Sequence, residues 1–106
     1  MADKFLEDRK AEVARHKIIL YIKGTKDMPQ CGFSAHVVTI FQGLGKPFET
    51  VDILANLEIR ERMEEFSDWP TFPQVFINGE FVGGCDIVDE MHRRGELEPL
   101  VKAAFK

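Results

Sequence analysis

Apolar residues recur along the chain in blocks, and the spacing within each block changes in order. Residues 5–15 carry a thin stripe of Phe5 or Leu6, Arg9 and Val13 on a charged background, which predicts a polar helix. Residues 17–22 follow as a strand. Its run Ile18-Ile19-Leu20-Tyr21-Ile22 has no polar break, so both faces should be buried, as in a central strand. A polar loop over 23–28 leads into a helix from about 31 to 44, where Val37, Phe41 and Leu44 share a face. Gly43 and Gly45 are its stop signals. Residues 48–53 read as a second strand, and strand–helix–strand in this order requires a parallel pair.

Asn56 suits the cap of a third helix bearing Ile59, Met63 and Phe66, with Arg60 at the edge of that stripe. Trp69-Pro70-Thr71-Phe72-Pro73 ends it, since two prolines so close forbid helix. Asn78-Gly79 between two short apolar runs, 74–77 and 80–82, predicts an antiparallel hairpin. After Gly83-Gly84-Cys85, Asp86 reads as the N-cap of a helix through Arg94, stopped by Gly95. Leu97, Leu100, Val101, Ala104 and Phe105 form a last amphipathic helix. The order αβαβαββαα describes one α/β domain over residues 1–106. A four-stranded mixed sheet flanked by helices in this order resembles the thioredoxin-like fold.

Composition narrows the class. The 106 residues are 44% hydrophobic and 30% charged, with net charge −4, as expected of a soluble globular domain. No basic tract is present, so neither nucleic acid nor an anionic membrane surface is an expected partner. The first ten residues alternate in charge and contain no apolar h-region, unlike a secretory signal. No apolar run approaches the ~20 residues that span a bilayer. Two cysteines, Cys31 and Cys85, are too few for a disulfide scaffold, which favours a reducing compartment. A bacterial cytoplasm is the first expectation, and a mitochondrial matrix or other organelle after loss of a transit peptide the second.

The chemistry centres on Pro29-Gln30-Cys31-Gly32-Phe33-Ser34. Cys31 falls where a loop meets the first turn of a helix. Free backbone N–H groups and the positive end of the helix dipole there favour thiolate over thiol, and Lys23 adds to this if it folds back. Pro29, Gln30, Gly32 and Ser34 are poor company for a buried, inert cysteine. The histidines His16, His36 and His92 do not make metal-ligand spacing with a cysteine and read as structural or surface residues.

Cys31-Gly32-Phe33-Ser34, Trp69-Pro70-Thr71-Phe72-Pro73-Gln74 and Gly83-Gly84-Cys85-Asp86-Ile87, in this order, resemble the monothiol glutaredoxins of the C-G-F-S type in their single-domain form. The resemblance runs from about Lys17 to Val101. It implies that Cys31 is the active-site thiol and a cluster ligand. It implies that Lys23 and Arg60, with Gln30 or its backbone nearby, hold the glycine carboxylate of glutathione. The backbone of Thr71-Phe72 would pair with the cysteinyl part, Pro73 would be cis, and Gly84, Cys85 and Asp86 would take the γ-glutamyl end. Phe33 is either core or a hydrophobic cover over the site. Taken singly, Lys23 and Arg60 read as surface charges, Asp86 as a cap, Cys85 as a packed thiol and Trp69 as core or a lid. Their joint arrangement suits an extended, doubly carboxylated tripeptide, which needs cations at one end and a free backbone edge in the middle.

Ser34 stands where a dithiol enzyme has its resolving cysteine, and a hydroxyl cannot attack a disulfide. Three functions follow. A [2Fe–2S] cluster needs four ligands. The resemblance implies Cys31 from each of two chains and the thiolates of two glutathiones, giving a homodimer that carries a labile cluster to iron–sulfur acceptor proteins. The second is a monothiol thiol–disulfide oxidoreductase regenerated by external glutathione. The loop 24–28, longer than in dithiol relatives, goes in this family with poor activity of that kind. The third is a redox-sensing interaction module docking BolA-type proteins.

Overall fold

The computed structural model describes residues 3–106. In chain order it contains α1 (Lys4–Arg15), β1 (Ile18–Ile22), α2 (Gly32–Leu44), β2 (Glu49–Asp52) and α3 (Leu57–Ser67). There follow β3 (Gln74–Ile77), β4 (Glu80–Gly83), α4 (Cys85–Arg93) and α5 (Leu97–Ala104). The strands form one mixed sheet in the order β2-β1-β3-β4. β1 runs parallel to β2, with Leu20 beside Thr50, and antiparallel to β3, with Leu20 beside Val75. β4 closes the hairpin against β3.

The unbroken apolar run of β1 has the expected cause. Every residue of the strand is buried, and alternation sends successive side chains to opposite faces. Ile18, Leu20 and Ile22 join Val37, Phe41, Val88 and Leu97 under α2, α4 and α5. Ile19 and Tyr21 join Phe5, Val13, Ile59 and Met63 under α1 and α3. Full burial of each such aliphatic chain contributes roughly 1.5–3 kcal/mol, so β1 is held from both sides. The sheet therefore presents one rigid end, the C-terminal ends of the parallel pair β1 and β2, from which loops can be hung.

Local signals set the boundaries. Asn56 Oδ1 accepts from the Ile59 N–H at 3.1 Å and caps α3. The Asp3 carboxylate does the same for α1 through Phe5, at 2.9 Å. Asn78 (φ 54°) and Gly79 (φ 83°) form the hairpin turn with both central residues left-handed, as the Asn-Gly pair anticipates. One expectation fails. Asp86 is not the N-cap of α4: the cap is Gly84, extended at φ −93°, and no side chain closes that end. The helix starts two residues earlier than an Asp86 cap would start it, because the Gly84 carbonyl already accepts the Val88 N–H at 3.0 Å. Asp86 lies in the first turn, where its charge still complements the dipole. Among the described residues no helix is long and apolar enough to cross a membrane.

Candidate functional site

Cys31 is the N-cap of α2, extended at φ −145°, and its carbonyl accepts the Ala35 N–H at 2.8 Å. Its side chain makes no formal capping hydrogen bond. The thiol is nevertheless held below the ordinary cysteine range, first by the backbone N–H of Ser34. Partial burial opposes this; the Phe33 N–H, the Lys23 charge and the Ser34 hydroxyl add to it. A half-exposed sulfur so placed, at a helix N-terminus, is biased towards thiolate, the form that is nucleophilic and able to bind a soft metal.

The loop that delivers Cys31 is pinned. The Gln30 N–H donates to the Lys23 carbonyl at 2.8 Å, and the Gly24 N–H to Asp52 Oδ1 at 2.9 Å. Lys26 Nζ donates to the Phe48 carbonyl at 2.6 Å and lies 4.3 Å from the centre of its ring. Gly24 adopts φ +96°, and a Cβ there would meet the Gln30 nitrogen and the Met28 oxygen at 2.6 Å each. Only glycine lets the chain turn this tightly, and the turn is what places Lys23 beside the thiol.

Ser34 explains the single-thiol chemistry in structural terms. It is fully buried, and its Oγ accepts the Lys23 N–H at 3.2 Å. The hydroxyl joins the end of β1 to the first turn of α2 in the place a second thiol would need.

Residues 69–73 and the start of α4 complete the site. The Phe72–Pro73 peptide bond is cis, as expected. Gly84 packs so close to the loop that a Cβ would fall 3.0 Å from Trp69 Nε1 and 3.3 Å from the Pro73 carbonyl oxygen. Cys85 is half-buried. Burial first, then the charges of Asp86, Asp89 and Cys31, push its thiol above the ordinary range. The two cysteines thus line one groove with their acidities shifted in opposite directions, Cys31 towards the thiolate and Cys85 towards the thiol.

That groove has a volume of about 570 Å³. Lys23, Cys31, Phe33 and Arg60 line it, together with Thr71, Phe72 and Pro73 and with Gly84, Cys85 and Asp86. Gln30 is the exception: its side chain turns back to donate to the Met28 carbonyl at 3.2 Å and does not reach the groove. Phe33 is exposed, so of its two expected places it takes the cover, not the core. Trp69 and Pro70 line the groove without having been assigned to it; their position directly before Thr71-Phe72 was the available signal. Among the described residues neither Lys23 nor Arg60 enters an ion pair, whereas Arg62 is engaged by Asp3 at 2.6 Å and Glu65 at 2.8 Å. Two unpaired cations in a groove with a reactive sulfur suit a thiol ligand carrying a carboxylate. His36, expected to be structural or surface, joins α2 to α4 through Asp89 at 2.7 Å. No group of three or more His, Cys, Asp or Glu residues able to hold a metal occurs among the described residues.

A βαβ unit, a hairpin, a cis-proline loop and a thiol at a helix N-terminus define a thioredoxin-like thiol protein. The Glutaredoxin family profile matches residues 18–82, and the chain belongs to the glutaredoxin family, in its monothiol branch. It is 49% identical over 106 residues to the probable monothiol glutaredoxin 2 of Rickettsia typhi, covering 100% of this chain and 96% of that one. The solution structure of reduced poplar apo GrxS14 is similar with a TM-score of 0.82 at 50% identity, over 94% of this chain and 93% of that one. The crystal structure of a buckwheat glutaredoxin–glutathione complex has a TM-score of 0.82 at 27% identity, over 93% and 88%.

Proposed function

We propose that this protein binds glutathione in the groove and, with it, carries a [2Fe–2S] cluster between two copies of the chain for delivery to acceptor proteins. The observation that carries this reading is the pairing of one accessible thiolate with a buried serine. Cys31 is half-exposed with its pKa lowered, Ser34 is buried at the resolving position, and the Cys85 thiol is pushed above the ordinary range. A single chain then supplies one good sulfur donor, and four-sulfur ligation can be completed by a second chain and two external thiols, as the family resemblance implies. The free cations Lys23 and Arg60 would hold the carboxylate of such a thiol. Phe72, before the cis-proline, would offer it a backbone edge, and Asp86 would meet its ammonium. Exposed apolar side chains at the same end, Met28, Phe33 and Leu57 among them, suit contact with a second subunit or a BolA-type protein. Two unpaired cysteines fit a reducing compartment, the bacterial cytoplasm first.

The same thiolate also supports a second reading. Cys31 would attack the glutathione sulfur of a protein–glutathione disulfide, releasing the protein thiolate and leaving a Cys31–glutathione disulfide. A second glutathione thiolate would then release oxidised glutathione and restore Cys31.

Anaerobic reconstitution with iron and sulfide tests the first reading. A visible cluster spectrum and a dimer on sizing should form only with glutathione present. Cys31→Ser should abolish both, while Cys85→Ser should leave most of each. Equal loss in the two variants would mean ligation by protein alone and would end the proposal. A parallel deglutathionylation assay measures the second activity.

A further inference from the structure

Gln74 opens β3, and its side chain is fully buried. An amide in such a place needs partners, because an unmet polar atom forfeits its hydration. Nε2 donates to two backbone carbonyls, that of Trp69 at 2.8 Å and that of Thr71 at 3.2 Å. Two carbonyl oxygens can be met only by the NH2 end, so the chemistry fixes the orientation of the amide. Oε1 has no hydrogen-bond partner among the described residues. One end of a buried amide is thus unsatisfied, and an apolar side chain of similar volume would suit the core better. What the glutamine supplies is its grip on the loop.

Trp69 packs on Phe81 and Phe72 against the core, but that loop has few other hydrogen bonds to hold its backbone. Outside the helices and strands, no backbone–backbone hydrogen bond among the described residues involves residues 69–73. Pro70 and Pro73 have no N–H to give. Apart from the two bonds of Gln74, the Ser67 hydroxyl holds the Trp69 end, accepting its N–H at 3.2 Å. The N–H and C=O of Phe72 enter no such bond and remain free.

We infer that Gln74 is a positioning residue for ligand recognition. Its amide replaces the missing ladder of residues 69–73 and sets Trp69 and Thr71 before any ligand arrives, so that the free backbone of Phe72 is held at the groove. This rests on the reading that glutathione pairs with that backbone. A loop already ordered in the free protein loses less conformational freedom on binding, and affinity rises accordingly.

The test compares the unmodified protein with Gln74→Met, which keeps the volume and removes the donor, and Gln74→Glu. The probe is reduced glutathione, followed by calorimetry and by the emission of Trp69, the single tryptophan of the chain. Gln74→Met should bind about tenfold more weakly, with the emission of Trp69 altered before glutathione is added. The ultraviolet absorbance of the Cys31 thiolate should titrate as in the unmodified protein. Gln74→Glu should bind more weakly still while ionised, and should gain on Gln74→Met as falling pH restores one O–H donor. A third measurement needs no variant: the Gln74 side-chain NH2 protons should be protected from solvent exchange in the ligand-free protein. Binding by Gln74→Met within twofold of the unmodified protein, or freely exchanging Gln74 protons, overturns the inference alone. Failure of the unmodified protein to bind glutathione removes the functional reading beneath it.

Discussion

Replacing Ser34 by alanine separates two things the hydroxyl does. The Oγ of the fully buried Ser34 accepts the Lys23 N–H at 3.2 Å, in a part-buried bond. Without it the amide at the end of β1 keeps no side-chain acceptor there. Stranding a buried donor costs about 1–3 kcal/mol, and 3.2 Å is the long end of the N–H···O range, so the lower half of that interval applies. For a domain near this size each kcal/mol lowers Tm by about 4–8 °C, so a drop of roughly 4–16 °C is expected in a thermal melt. The effect on the thiol should be much smaller. The Ser34 backbone N–H is the leading cause of the lowered Cys31 pKa and survives the substitution, whereas the hydroxyl ranks last among the causes. Ser34→Ala should therefore lose stability while its thiolate absorbance titrates only slightly higher than before. An unchanged Tm, or a thiol returned to the ordinary cysteine range, would refute this division of labour.

Other outcomes follow from the same geometry. Gly24→Ala should cost more than about 2 kcal/mol in denaturant unfolding, since the new Cβ meets backbone atoms at 2.6 Å in a left-handed conformation. Lys23→Gln and Arg60→Ala should each weaken glutathione binding several-fold by calorimetry with little change in Tm, the Arg60 side chain being exposed; unchanged binding would dismiss their carboxylate role. Because the folded pKa of Cys31 is depressed, the thiolate contributes stability above the pKa of an ordinary cysteine. That contribution disappears as pH falls through the depressed value. The stability difference between the protein and Cys31→Ser should shrink on acidification across that window, and a difference that grows would contradict the sign. Asn56→Ala should cost about 1 kcal/mol through loss of the α3 cap.

Much of the architecture was legible as one-dimensional pattern, because helices, strands and tight turns are governed by neighbours close in the chain. The unbroken apolar run of β1, the Asn78-Gly79 turn and the Asn56 cap each carry their geometry locally, and the structure has them where the pattern puts them. The lone thiol of Cys31 before a helix was equally plain, since spacing alone determines that Ser34 replaces a second cysteine. The assignment of the remaining groove residues came through resemblance to a family, not from local pattern. Convergence is non-local: Arg60 on α3, Lys23 at the end of β1, the loop 69–73 and the start of α4 meet only because the sheet order β2-β1-β3-β4 brings their ends together. The same applies to the errors and omissions. Asp86 looked like a cap because residue type is local, but the carbonyl of Gly84 had already begun the helix. Gln30 lies one residue from the thiol in sequence, yet its side chain donates to the Met28 carbonyl and is not among the residues lining the groove. Gln74 read as an ordinary strand residue, and its grip on Trp69 and Thr71 is visible only with the core packed around it. Sequence determined the elements and the one thiol before a helix; tertiary packing decided which distant side chains share its groove and in which direction the acidity of each cysteine moves, because burial and charge proximity exist only once the chain has closed.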